Sequence, residues 1–127
     1  MWKRVVAVLL AAVAGSFGAP SFASAAPSVG DIALAQELEV IADDAVPTQA
    51  RTVPGDRMLA AMFGAAARLD PTEPRYLRMQ GDALLAAGDR SAALDVIKAY
   101  THLVPDDRSA QAQLIDLYVE AMQTAEQ

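Results

Sequence analysis

Apolar side chains return along this chain at intervals of three and four, the spacing of one face of an α-helix. Leu77, Gly81, Leu84 and Leu85 stand at i, i+4, i+7 and i+8. Ala93, Val96, Ile97, Tyr100, Leu103 and Val104 form a second stripe, and Leu59, Phe63, Ala66 and Leu69 a third. A fourth runs through Leu114, Leu117, Tyr118, Ala121 and Met122. Nearer the N-terminus, Ile32, Ala35, Leu38 and Ile41 suggest one more helix over 31–43, with Ser28 or Asp31 as its cap. The pattern predicts an all-α fold.

The breaks between stripes are chemically marked. Gly88 suits the left-handed position that ends a helix, because it has no Cβ to clash there. Asp89 follows as a cap, its carboxylate accepting from the free N–H groups of the next helix. Pro105 forces Val104 out of the helical region and stops that helix. Asp106, Asp107 and Ser109 then supply start signals for the last one. Pro47, Pro54 and Gly55 predict a loop over 45–56, with a helix resuming at Arg57. The stretch from Asp70 to Pro105 is thus an antiparallel helix–turn–helix closed by proline at both ends.

Pro71 and Pro105 stand at i and i+34. With Pro74 as position 1 of a unit, Leu77 falls at 4, Gly81 at 8, Leu84 at 11, Ala93 at 20, Ile97 at 24 and Pro105 at 32. Segment 74–107 therefore resembles one complete tetratricopeptide repeat, whose pattern is W-x2-L-G-x2-Y…A-x3-F…P. Size class is kept at most positions, with Leu77 where the family prefers Trp; two departures matter, Gln80 in place of Leu and Tyr100 where Ala is usual. Leu59, Phe63, Ala66, Leu69 and Pro71 are spaced like the second helix of a preceding unit, so 31–73 reads as a degenerate repeat with an enlarged loop. Leu114 and Tyr118 fall at positions 7 and 11 of a third unit, which makes 108–127 a partial or capping helix. Arrays of this kind need about three units to close a core. The resemblance implies a short α-solenoid, as a complete protein or as a fragment of a longer array.

The same resemblance implies a function. In that family the first helices of successive repeats line a concave groove that holds a peptide or protein. The groove positions map here onto Arg75, Arg78, Met79, Asp82, Leu85 and Ala86, and in the last helix onto Ser109, Ala112, Gln113, Asp116, Val119 and Glu120. Arg75 and Arg78 share a helix face. They suit a carboxylate-bearing segment resting on Met79 and Leu85. Asp82, four residues after Arg78, is placed to pair with it and weaken that pull. Tyr118 and Met122, on a stripe that no second helix follows, favour truncation or self-association through the C-terminal helix.

The N-terminus changes the picture of where this happens. Lys3 and Arg4 precede an apolar run of ten residues, Val5 to Ala14, and Ala23-Ser24-Ala25 offers small residues for cleavage. That is the layout of a secretory signal peptide over 1–25. Gly15, Ser16, Gly18 and Pro20 interrupt the run before the roughly 20 apolar residues of a spanning helix. The alternative is an uncleaved membrane anchor. Otherwise the membrane is met only during export, and the folded part, 26–127, is periplasmic or secreted. Loss of Lys3 and Arg4 takes the formal charge from −6 to −8. So acidic a chain is a poor ligand for nucleic acid or anionic lipid. It has no cysteine, so packing holds it without disulfides.

Catalytic chemistry finds no foothold. The single histidine, His102, sits near a helix C-terminus, where a cation complements the last carbonyls. No Cys–His pair, G-x-S-x-G, P-loop or G-x-G-x-x-G occurs, and no cofactor is implied. Asp43-Asp44 and Asp106-Asp107 read as helix-end charges rather than metal ligands. Phe63, Tyr76, Tyr100 and Tyr118 sit at packing positions rather than on a base-stacking platform. Two functions stay open: an exported, non-catalytic binding scaffold, and an N-terminal accessory segment of a larger exported enzyme or assembly.

N-terminal sequencing of the exported protein should begin at Ala26. An intact Met1 in the membrane fraction would indicate the anchor instead.

Overall fold

A computed structural model describes residues 26–45 and 52–127. The leader expected over 1–25, with its cleavage position, lies outside the described residues, as do positions 46–51 of the predicted loop. The rest is all-α, in five helices: α1 (Val29–Ala45), α2 (Val53–Leu69), α3 (Arg75–Ala86), α4 (Arg90–Leu103) and α5 (Arg108–Ala125). Each packs on the next in the chain.

Two layers of core meet at α3. On one side Ala35 and Leu38 of α1 and Ala66 and Ala67 of α2 enclose Tyr76. Beside them Ala42, Leu59, Ala60 and Phe63 cluster with Ala83. On the other side Leu84 and Leu85 pack against Ala93 and Ile97 of α4 and Leu117 of α5. Burial of a side chain the size of Ile97 or Phe63 contributes about 1.5–3 kcal/mol, so these contacts dominate the stability.

The helix ends follow the local chemistry. Ser28 and Asp31 cap α1 together: the Asp31 N–H donates to Ser28 Oγ at 3.1 Å, and the Ser28 N–H donates to Asp31 Oδ2 at 3.1 Å. After α3, Gly88 takes φ +82°. Its N–H donates to Leu85 O at 3.0 Å, and the Asp89 N–H donates to Leu84 O at 2.9 Å, closing a Schellman turn. Asp89 also caps α4, accepting from the Ala92 N–H at 3.2 Å. One residue therefore ends α3 and starts α4, which keeps the hairpin tight.

The pattern recurs at a fixed offset. Asp70 closes α2 with φ −129° and ψ 80°, and Val104, at i+34, closes α4 with φ −128° and ψ 73°. Leu59 and Ala93, Phe63 and Ile97, Ala66 and Tyr100, Tyr76 and Ala110, and Ala83 and Leu117 are all buried, and each pair stands at i and i+34. Ala35 and Ala42 of α1 correspond to Tyr76 and Ala83 at i+41 instead. The extra length lies in the connection from α1 to α2. The architecture is compatible with a helical repeat.

Three details differ from the sequence expectation. Helix α2 starts at Val53, not Arg57, because Thr52 Oγ1 accepts from the Gly55 N–H at 3.2 Å and Pro54 sits in the first turn, where its missing N–H has no helical acceptor to serve. Leu103, placed in the α4 stripe, is exposed. The α5 stripe splits: Leu117 is buried, whereas Tyr118 and Met122 are exposed on another face. Tyr100 is buried in the α4 stripe as its spacing implies, although the repeat pattern usually has Ala there, and its hydroxyl donates to Asp107 Oδ2 at 2.8 Å.

Gly81 marks the closest approach of α3 and α4. A Cβ built there would lie 2.8 Å from Ile97 Cγ1, inside van der Waals contact. Gly81→Leu should cost about 1–3 kcal/mol by overpacking, read as a lower urea midpoint. A midpoint equal to wild type would mean that the helices do not cross there.

Asp107 gives the fold a pH dependence. The Ala110 N–H first, and the Tyr100 hydroxyl second, hold its carboxyl below the ordinary value. A carboxylate with a depressed pKa stabilises the fold above its unfolded pKa, and this is lost as pH falls through the folded value. The melting-temperature gap between wild type and Asp107→Ala should be full at neutral pH and shrink as pH falls below 3.8. A gap that stayed constant into acid would contradict the assignment.

Candidate functional site

Helix α3 presents a charged side towards α1 and α5, the helices two before and two after it in the chain. Arg75 Nη2 donates to Glu39 Oε2 of α1 at 2.9 Å. One turn on, Arg78 Nη1 donates to Gln113 Oε1 of α5 at 2.7 Å. Arg78 also stands 3.7 Å from Asp82 and has its guanidinium 5.8 Å from the centre of the Tyr100 ring. The two arginines therefore reach in opposite directions and tie α3 to both neighbours. Neither forms part of a shared two-arginine clamp.

Their surroundings differ. The Arg75 side chain is 54% exposed, so its pair with Glu39 is wet and contributes at most about 1 kcal/mol. The Arg78 side chain is 25% exposed and lies among Tyr100, Gln113 and Asp82. Arg78 divides its guanidinium between the neutral Gln113 oxygen at 2.7 Å and the Asp82 carboxylate at 3.7 Å. Beneath Arg75, burial pushes the Tyr76 hydroxyl up from its ordinary pKa.

Between α3 and α5 lies an open groove of about 540 Å³, lined by Leu85, Arg90, Gln113, Asp116, Leu117, Val119 and Glu120. Arg90 holds Glu120 through two hydrogen bonds, one from Nε and one from Nη2 to Oε1 at 2.6 Å. Its lining mixes apolar side chains with both signs of charge.

Of the residues singled out from sequence, Arg78, Asp82 and Gln113 come together, and Leu85, Gln113 and Asp116 share the groove. Val119 and Glu120 join them, whereas Ala86, Ser109 and Ala112 lie exposed. Met79 is half-buried and packs towards the α1–α2 layer. Arg75 belongs with Glu39. Sequence reasoning missed Glu39 and Arg90. Glu39 is separated from its partner by far more than any spacing rule within a helix covers. Arg90 follows the Asp89 cap and had no other signal.

A second groove of about 780 Å³ opens between α2 and α4 over Leu77 and Gln80. Gln80, at the position where the repeat pattern has Leu, covers Gly64: a Cβ there would meet Gln80 Nε2 at 2.6 Å. His102 lies in the last turn of α4, at the rim. Among the described residues no three His, Asp or Glu side chains converge as metal ligands, and no helix is long and apolar enough to cross a membrane. No protein-family model, curated protein or solved structure matches this chain.

Proposed function

We propose that this chain is an exported, non-catalytic scaffold of tetratricopeptide type that holds a peptide or protein segment against α1, α3 and α5. The observation that carries this reading is the pair of reaches from α3, Arg75 to Glu39 and Arg78 to Gln113, which links side chains of three alternate helices. The repeat reading is supported by caps and buried positions that recur at i and i+34. On it, 1–25 is a cleaved leader, 31–73 and 74–107 are repeat units, and 108–127 is a partial unit. The folded part works in the periplasm or outside the cell.

Binding proceeds by exchange. A carboxylate on the incoming segment displaces the neutral Gln113 oxygen from Arg78, replacing a neutral acceptor with a charged one. Charge-assisted hydrogen bonds of this kind contribute about 1.5–3 kcal/mol. Asp82, 3.7 Å from Arg78, sets an upper limit on that gain by competing for the same guanidinium. The apolar part of the segment lies along Leu85, with Asp116 at the rim.

The test is selection from a peptide library displayed with free C-termini. Enriched peptides should carry a carboxylate beside an apolar residue, bind more weakly as salt rises, and lose roughly tenfold or more in affinity on Arg78→Ala. No enrichment, or unchanged affinity in the Arg75→Ala, Arg78→Ala double variant, would refute this binding face.

A further inference from the structure

Helix α5 has two apolar faces. Ala110 and Leu117 are buried, and Leu114 packs beside Leu117 against α3 and α4. The other face carries Ile115, Tyr118, Val119 and Met122, exposed at 62%, 40%, 47% and 64%. They stand at i, i+3, i+4 and i+7, one continuous stripe along the helix. Elsewhere exposed large apolar residues such as Val29, Val40 and Met58 are scattered singly and need no partner.

The correspondence between repeat positions shows which kind of cover does not fit. Ile115, Tyr118 and Val119 correspond to Gly81, Leu84 and Leu85 of α3, the side on which α4 lies. That close packing needs Gly81, because Ile97 leaves no room for a Cβ. At the equivalent point α5 has isoleucine. A helix laid on α5 as α4 is laid on α3 would collide with it. Ile115 requires a wider spacing, with side chains interdigitating across the contact.

We infer that the Ile115–Tyr118–Val119–Met122 face of α5 pairs with the same face of a second copy of this chain, antiparallel about a twofold axis. Three features favour this occupant. First, the stripe is self-complementary: antiparallel pairing sets Ile115 against the other copy's Met122, and Tyr118 against its Val119. Second, the charges match. Arg108 opens the helix and Glu126 caps its end. They stand at i and i+18, about five turns, and so share the face of the stripe. Antiparallel pairing brings each Arg108 near the other copy's Glu126, while parallel pairing would stack Arg108 on Arg108. Third, the remaining acids are kept clear. Asp116 and Glu120 line the groove on the flank, and Arg90 holds Glu120 there. Oligomers of one chain are most often closed by such an isologous contact. A single pair of helices buries less than the roughly 1,200 Å² at which standard stable interfaces begin, so the dimer is reversible.

Sedimentation velocity of the full chain, from about 1 to 300 μM, tests this across the weak range expected of a small interface. The sedimentation coefficient should rise with concentration in wild type. Val119→Lys should stay monomeric with unchanged helical circular dichroism and melting. Arg108→Glu should weaken the dimer about three- to tenfold, and adding Glu126→Arg should restore it, since two exposed ion pairs are exchanged. Three results would overturn the pairing: a monomer at every concentration, association that survives Val119→Lys through the leader or another surface, or a charge swap that fails to restore it.

Discussion

The close approach of α3 and α4 at Gly81 is the constraint on which the other contacts depend. With no Cβ at residue 81, the Ile97 side chain lies almost on the α3 backbone, at a point where any larger residue would have to displace it. That lets Leu84 and Leu85 reach the cluster formed by α4 and α5, while Tyr76 and Ala83 on the opposite side of the same helix fill the layers formed by α1 and α2. Helix α3 is only 12 residues long, yet it belongs to both layers of the core. Moving it away from α4 would open one layer and tilt the other. The turn that follows is suited to the same end, because Gly88 and Asp89 close α3 and cap α4 within two residues.

The position of α3 also sets the chemistry of its outer side. Arg75 reaches α1 and Arg78 reaches α5, so the charges on this side connect helices distant in sequence. The proposed binding role uses the difference between them. Glu39 pairs with Arg75 at 2.9 Å, whereas Arg78 donates to the neutral oxygen of Gln113 at 2.7 Å and pairs more loosely with Asp82 at 3.7 Å. Stability and recognition then draw on the same groups, and a ligand that takes Arg78 also takes one of the contacts that dock α5. Tyr100 and Asp107 also hold the junction of α4 and α5, with the Arg78 guanidinium beside the Tyr100 ring.

The fold is legible wherever the signal is local. Gly88, Asp89 and Val104 sit where chain chemistry within a few residues decides the conformation, and all three take the states their sequence implies. The stripe spacing carries the number and direction of the helices. The start of α2 is hidden because Pro54 and Gly55 look like a loop, although Thr52 stands where a cap makes them the first turn. Contacts across the chain are not legible. Nothing in the sequence joins Glu39 to Arg75, or Arg90 to Glu120, because these pairs depend on the angle between helices. Tyr100 looks like a misfit beside a small-residue pattern, and only the distance to Asp107 explains it. The split of the α5 stripe into a packed and an open face likewise depends on which way the helix is rotated against α4.

The most direct test of the central crossing is the set of nuclear Overhauser contacts made by Gly81. Its α protons should show strong cross-peaks to the γ-methylene and δ-methyl protons of Ile97, the atoms nearest the missing Cβ. Ile97 contacts confined to α4 and α5, with none to Gly81, would contradict the close crossing and with it the placement of α3 at the centre of the molecule.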